Sequence, residues 1–263
     1  NGTAYGKTYG FGQQPFGNPN LSYGSQAPFH MSFVNEDGIL KRAAPKYQET
    51  FAGYRVDLYS ALARTAFASG HPYWGWRFAG WALHYVEDAA QPYHASLLPS
   101  RDTLGILLLN AFGSRARIDG EIVMVSNRHL ILEKYQYAAF AAYAGDDSAS
   151  ALYGALRSAD AAAVQDLGDA AKPRWVLDVV AKRARGRAKA LDAAIAATFP
   201  KKYVADPTFD YGAWQSKTQD AGDPRADLLS RDPSRAKSFE QALAPSLAEM
   251  GAAARAFLRT FTS

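Results

Sequence analysis

The chain has no cysteine among its 263 residues. That excludes disulfides, a thiolate nucleophile and thiolate metal ligands, so any metal site must be built from imidazole and carboxylate. No long apolar run is present either. The longest aliphatic stretch, LGILLL at 104–109, is far short of the roughly 20 residues a membrane-spanning helix needs. No block of like charge exists: 29 basic and 25 acidic residues are interspersed for a net charge of +4. This is mild attraction to anions and not a nucleic-acid signature, so no stable nucleic-acid partner is expected. Alternating strand patterns are nearly absent, and alanine dominates the second half, which predicts an all-α fold. Histidine is scarce as well, with only five copies, so where each one falls carries information.

Apolar content of 48% is ample for a real core. With no Ser/Gly-rich linker and no internal repeat, one domain over 1–263 is expected. Residues 1–45 are dense in Gly, Tyr, Phe, Asn and Pro without apolar periodicity and read as an irregular, aromatic-packed segment. Helices are predicted from Tyr47 to Ser69, Tyr73 to Ala90, Leu104 to Phe112 and Ile118 to Tyr143. Further helices are predicted over 148–157, 159–167, 173–198 and 234–262, with Pro- and Asp-rich loops between. The sequence begins at Asn1 without a basic-then-apolar leader, which fits a processed or a trimmed chain.

The most informative run is Leu83 to His94, LHYVEDAAQPYH. On a helix, His84 and Asp88 stand at i and i+4 and leave the same face about one turn apart, close enough to share an ion. Pro92 cannot continue the hydrogen-bond ladder and pushes its predecessor toward extended geometry, so His94 is expected to swing off beyond the helix end. It is then free to serve a different metal. His129 and Glu133 repeat the i, i+4 imidazole–carboxylate pair. One such pair occurs by chance on surface helices; two in a chain with five histidines, both flanked by apolar residues, are stronger. The competing reading of the first run is a buried hydrogen-bond network tying a helix end to a loop. His30 lies in the loop PFHMSF, where an ordinary loop histidine is the alternative. His71, between Gly70 and Pro72, is explained by capping or exposure.

The run LHYVEDAAQPYH resembles the zinc-dependent phospholipase C family, whose segment reads His-x-x-x-Asp, five residues, then His, with Gln-Pro before the last histidine. That family continues with His-x-x-x-Glu, matched here by His129 and Glu133. The likeness covers roughly residues 28–135. It implies that His84 and Asp88 serve a pair of metals with Asp88 bridging, that His30 binds the first of that pair, and that His94, His129 and Glu133 hold a separate zinc. It further implies a compact all-α fold and two or three zinc ions. The implied reaction is cleavage of the glycerol-side phosphodiester of phospholipids such as phosphatidylcholine by a metal-bridging hydroxide. A monomer that is secreted or periplasmic, meeting its lipid at a membrane surface, follows from the same likeness.

The chain departs from that pattern at its start. The family begins with a tryptophan and a nearby histidine that bind zinc, and places an aspartate some fourteen residues before the loop histidine. Here residue 1 is asparagine, no histidine precedes His30, and residues 1–30 contain no acid, so a missing N-terminal segment is the expectation. The interval between His94 and His129 is also longer. The general base stays open among Glu36, Asp37 and Glu87. Tyr5, Tyr9, Phe11, Phe16, Tyr23 and Phe29 are candidates to line a choline pocket or seat in the headgroup layer, against plain loop packing. Two alternatives remain: a single-strand-specific zinc nuclease, which usually has aspartate at the Glu133 position and carries disulfides, and a non-catalytic zinc-stabilised helical protein.

Overall fold

The computed structural model describes residues 30–43, 45–142, 151–158, 167–217 and 222–262. Every regular element among them is helical, as the missing strand alternation predicts. After a 3₁₀ turn at Phe33–Asn35 come α1 (Gly38–Ala43), a second 3₁₀ turn at Pro45–Gln48, α2 (Ala52–Ala68), α3 (Pro72–Ala90) and α4 (Pro92–Ala95). Next are α5 (Thr103–Phe112), α6 (Arg115–Ala142) and α7 (Ala151–Arg157). A π-helical turn, Val176–Ala181, runs into α8 (Lys182–Thr198), followed by α9 (Lys201–Val204), α10 (Tyr211–Lys217), α11 (Pro224–Arg231) and α12 (Pro233–Arg259).

Helices α2 and α3 form an antiparallel hairpin. Gly70 turns the chain in the left-handed region (φ 78°), where a side chain would be strained, and Pro72 opens α3 with its φ already set for a helix. The small residues Ala63, Ala66, Ala79 and Ala82 are buried on this pair. At the other end of α3 the proline does two things. Gln91 is extended (ψ 121°), as the residue before a proline should be, while Pro92 starts a new one-turn helix and does not simply end the old one. The Gln91 side chain caps that turn by accepting from the Tyr93 N–H at 2.8 Å. His94 therefore leaves the α3 axis but sits on a helix of its own.

Two apolar clusters meet around α4. One gathers Tyr93 with Ile131, Leu132 and Tyr135 of α6, Leu191 and Ile195 of α8, and Phe239 and Leu243 of α12. The other gathers Ala95 with Val86 and Ala89 of α3, Trp175, Val180 and Phe257. Burying each large aliphatic side chain is worth about 1.5–3 kcal/mol, so α4, which contributes to both clusters, is held firmly in place. Where α12 crosses α7, Gly251 is required: a Cβ there would collide with the Leu156 carbonyl.

Several predicted boundaries shift. The helix expected from Tyr47 starts at Ala52, because Thr50 hydrogen-bonds the Ala52 N–H (3.1 Å) and the Met31 carbonyl (2.6 Å) and so fixes a turn. The helix expected from 173 starts only at Val176, since Arg174 is left-handed (φ 62°). Residues 38–43 are helical within the segment expected to be irregular. Helices α9, α10 and α11 occupy what was read as loop. The predicted helix over 159–167 falls, but for Leu167, outside the described residues, as do the aromatic residues from Tyr5 to Phe29.

Candidate metal centre

The first group is built on α3. His84 Nε2 stands 3.4 Å from Asp88 Oδ2, one turn along the same face. His30 approaches from the preceding segment and places Nδ1 2.6 Å from the same oxygen. That segment is pinned along its length. The Ser32 N–H donates to the His94 carbonyl at 2.6 Å, Asn35 Nδ2 to the Leu177 carbonyl at 2.7 Å, and Glu36 accepts from the Leu97 N–H (2.8 Å) and Arg185 (3.0 Å). The ring of Tyr85 stacks on His30 with centroids 5.7 Å apart. Asp88 is almost buried, whereas His84 is 56% exposed.

The second group joins α4 to α6. His94 Nε2 and His129 Nε2 face each other at 3.0 Å, and Glu133 Oε1 lies 2.8 Å from His129 Nε2 and 3.6 Å from His94 Nε2. His94 is buried and Glu133 is 45% exposed. The two groups are in contact: His94 Nδ1 is 3.1 Å from Asp88 Oδ1. The sequence-predicted residues thus assemble as expected, His30, His84 and Asp88 in one group and His94, His129 and Glu133 in the other. His71 belongs to neither; it is exposed at the N-cap of α3.

Both groups could hold a metal ion. Zinc bonded to nitrogen and oxygen at ~2.0–2.1 Å in a tetrahedron has ligand–ligand edges of about 3.3 Å. The second group's edges of 2.8, 3.0 and 3.6 Å bracket that value, and the first group's 2.6 and 3.4 Å approach it. Two imidazole nitrogens aimed at one point suit a shared cation better than two protons. The buried His94 Nδ1 also has no aligned hydrogen-bond partner, its nearest acceptor being the Asp88 oxygen.

The electrostatics reflect the same crowding of donors. Burial alone would raise the Asp88 carboxyl, but the hydrogen bond to His30 and the close imidazoles of His94 and His84 bring it down to about 2. Burial works against a charged His94, yet Asp88 and Glu133 hold it up at about 9. Burial likewise opposes the Glu133 charge, and His129 and His94 outweigh it, keeping that carboxyl well below its usual range. These carboxylates remain anionic, and among the described residues their ion-pair partners are the imidazoles.

A support network lies behind the second group that the sequence did not reveal. The Tyr93 hydroxyl donates to Asp192 Oδ1 at 2.7 Å, and Arg128 Nη1 donates to Asp192 Oδ2 at 2.6 Å. Arg128 Nε also donates to the Val204 carbonyl at 2.7 Å. Tyr93 and Arg128 precede His94 and His129 in the chain, and the Tyr93 ring stacks on His129 at 5.6 Å. Burial, then the Asp192 charge, push the phenol well above its usual range, so it stays a donor. The one available signal was an aspartate at an inward position among Leu191, Ile195 and Thr198 of α8.

Of the three general-base candidates, Glu36 is committed to Leu97 and Arg185, and Asp37 lies 3.6 Å from Arg185 and contacts Thr103. Glu87 makes no hydrogen bond or ion pair among the described residues, and burial, then the Asp88 charge, raise its carboxyl. No protein-family model, no curated protein and no solved structure matches the chain.

Proposed function

We propose that both groups hold zinc and that the protein is a zinc-dependent phospholipase C, cleaving the glycerol-side phosphodiester of phospholipids such as phosphatidylcholine. The observation that carries this reading is the contact of Asp88 with both groups, one oxygen toward His30 and His84 and the other toward His94. Mixed imidazole and carboxylate donors favour zinc over calcium or magnesium, which prefer oxygen alone. Each group supplies three protein ligands and has one solvent-facing member, His84 or Glu133. Three ligands with an accessible side are the arrangement of catalytic zinc, whereas structural zinc is closed by four.

When bound, zinc supplies positive charge to phosphate oxygens and acidifies water enough for attack at neutral pH. The chain's own residues do the orienting. Asp88 Oδ1, 3.1 Å from His94 Nδ1, holds the ring from one side while the opposite nitrogen, Nε2, faces His129 and Glu133. The Glu36–Arg185 pair anchors the segment that presents His30. The lipid reading also takes in a secreted or periplasmic monomer acting at a membrane surface; no described helix is long and apolar enough to cross a membrane.

The test is hydrolysis of phosphatidylcholine beside single-stranded DNA, before and after chelation. Release of diacylglycerol and phosphocholine, lost on chelation and restored by zinc, is expected. Hydrolysis of the nucleic acid alone would make the protein a nuclease, and zinc uptake with neither activity would make the metal structural.

A further inference from the structure

One face of α3 carries Trp74, Phe78, Trp81 and Tyr85, spaced four, three and four residues apart and so aligned along the helix. Their rings form an unbroken series that ends at the first metal group. Trp74 meets Phe78 at 6.0 Å between centroids, Phe78 meets Trp81 at 5.3 Å, and Trp81 meets Tyr59 of α2 at 5.5 Å. Tyr59 stacks on Tyr85 at 6.1 Å, and Tyr85 touches both His84 (5.1 Å) and His30 (5.7 Å). The outer end is open to solvent: Tyr73, whose ring meets Trp74 at 5.4 Å, is 66% exposed, Trp74 48% and Trp81 42%. Cations are seated on the series. The Arg77 guanidinium lies 5.7 Å over Trp81 and donates to the Tyr73 hydroxyl at 3.3 Å, and Arg55 lies 6.0 Å over Tyr59.

We propose that this aromatic stripe is the surface by which the protein seats on an anionic phospholipid layer, bringing headgroups to His30, His84 and Asp88. The proposal rests on the phospholipase reading for what happens there. Tryptophan and tyrosine pair an apolar body with a polar tip, which suits the headgroup region of a bilayer, and arginine beside them meets lipid phosphate. A single-stranded nucleic acid would also stack on such rings, but it needs a basic groove to follow its backbone. The two cations seated on the stripe, Arg55 and Arg77, stand apart on two helices and form no continuous basic groove.

The experiment uses the full chain freed of metal by chelation, so hydrolysis plays no part and the outcome is independent of the catalytic reading. Vesicles of phosphatidylcholine and phosphatidylserine with brominated acyl chains are expected to quench the tryptophan fluorescence. A Trp74→Phe/Trp81→Phe variant should still bind but lose most of the quenching, because Trp175 is buried, while Trp76 packs on Phe67 and Trp214 on Tyr203, outside the stripe. Trp74→Ala/Trp81→Ala should lower vesicle affinity roughly tenfold per tryptophan. The proposal is overturned if the wild-type chain does not bind vesicles, if quenching survives in the phenylalanine variant, or if the alanine variant binds like wild type. Quenching by a single-stranded oligonucleotide and not by vesicles would also overturn it and assign the stripe to base stacking.

Discussion

Replacing Asp192 with alanine should damage both the stability of the protein and one of its two metal groups. The carboxylate is nearly buried between Tyr93 and Arg128, with bonds of 2.7 and 2.6 Å. Its removal strands a guanidinium that is itself mostly buried, and breaking a buried ion pair from one side costs about 3–5 kcal/mol. Asn should be milder, near 1.5–3 kcal/mol, because an amide oxygen still accepts from one partner while the charge is lost. The second effect follows from position. Tyr93 and Arg128 each precede a proposed ligand, so loosening both should weaken metal binding by His94, His129 and Glu133 about 10–100-fold. The His30 group, which Asp192 does not touch, should keep its affinity. Urea unfolding of the metal-free protein gives the first quantity and chelator competition the second. A loss below about 1 kcal/mol together with two unchanged metal affinities would refute the reasoning.

Asp88→Asn should abolish metal binding at His30 and His84 and weaken the second group as well, because the same side chain faces His94; titration calorimetry with zinc reads both steps. In the metal-free protein, Asp88 and Glu133 push the His94 imidazole up to about 9 from an ordinary 6.5 against its burial, and a raised imidazole stabilises the fold fully below 6.5 and loses that contribution as pH rises through 9. Asp88, lowered to about 2 from 3.8, contributes above 3.8 and is lost as pH falls through 2. Stability of the chelated protein should therefore peak between these limits and decline from pH 6.5 to 9, and zinc should remove the alkaline decline by requiring neutral His94; melting curves across that range check it. Gly251→Ala, with no room beside the Leu156 carbonyl, should cost about 1–3 kcal/mol through overpacking, measured by the same unfolding assay with both metal affinities retained.

What could be read from the sequence was what local chemistry decides. Gly70 and Pro72 mark the start of α3, Gln91 and Pro92 its end, and the two i, i+4 pairs place their side chains without help from the rest of the chain. The separation of His94 from His84 also follows from Pro92 alone. What could not be read depends on distant partners. Asp192 acquires its role only when α8 packs against α4 and α6, and Glu36, one of the acids weighed as a general base, is claimed by Arg185, 149 residues away. The short helices were missed for a different reason. Asp223 and Pro224 look like loop punctuation, yet they are the N-cap and first residue of α11, with Asp223 accepting from Arg225 and Ala226.

Zinc content per chain is the most direct test of the central claim, taken on wild type and on His129→Ala after equilibration and removal of free metal. Two groups predict at least two zinc ions in the wild-type protein and one fewer in the variant, with the His30, His84 and Asp88 group still loaded. A wild-type chain that holds one ion or none, or a variant that keeps the full complement, would contradict the account.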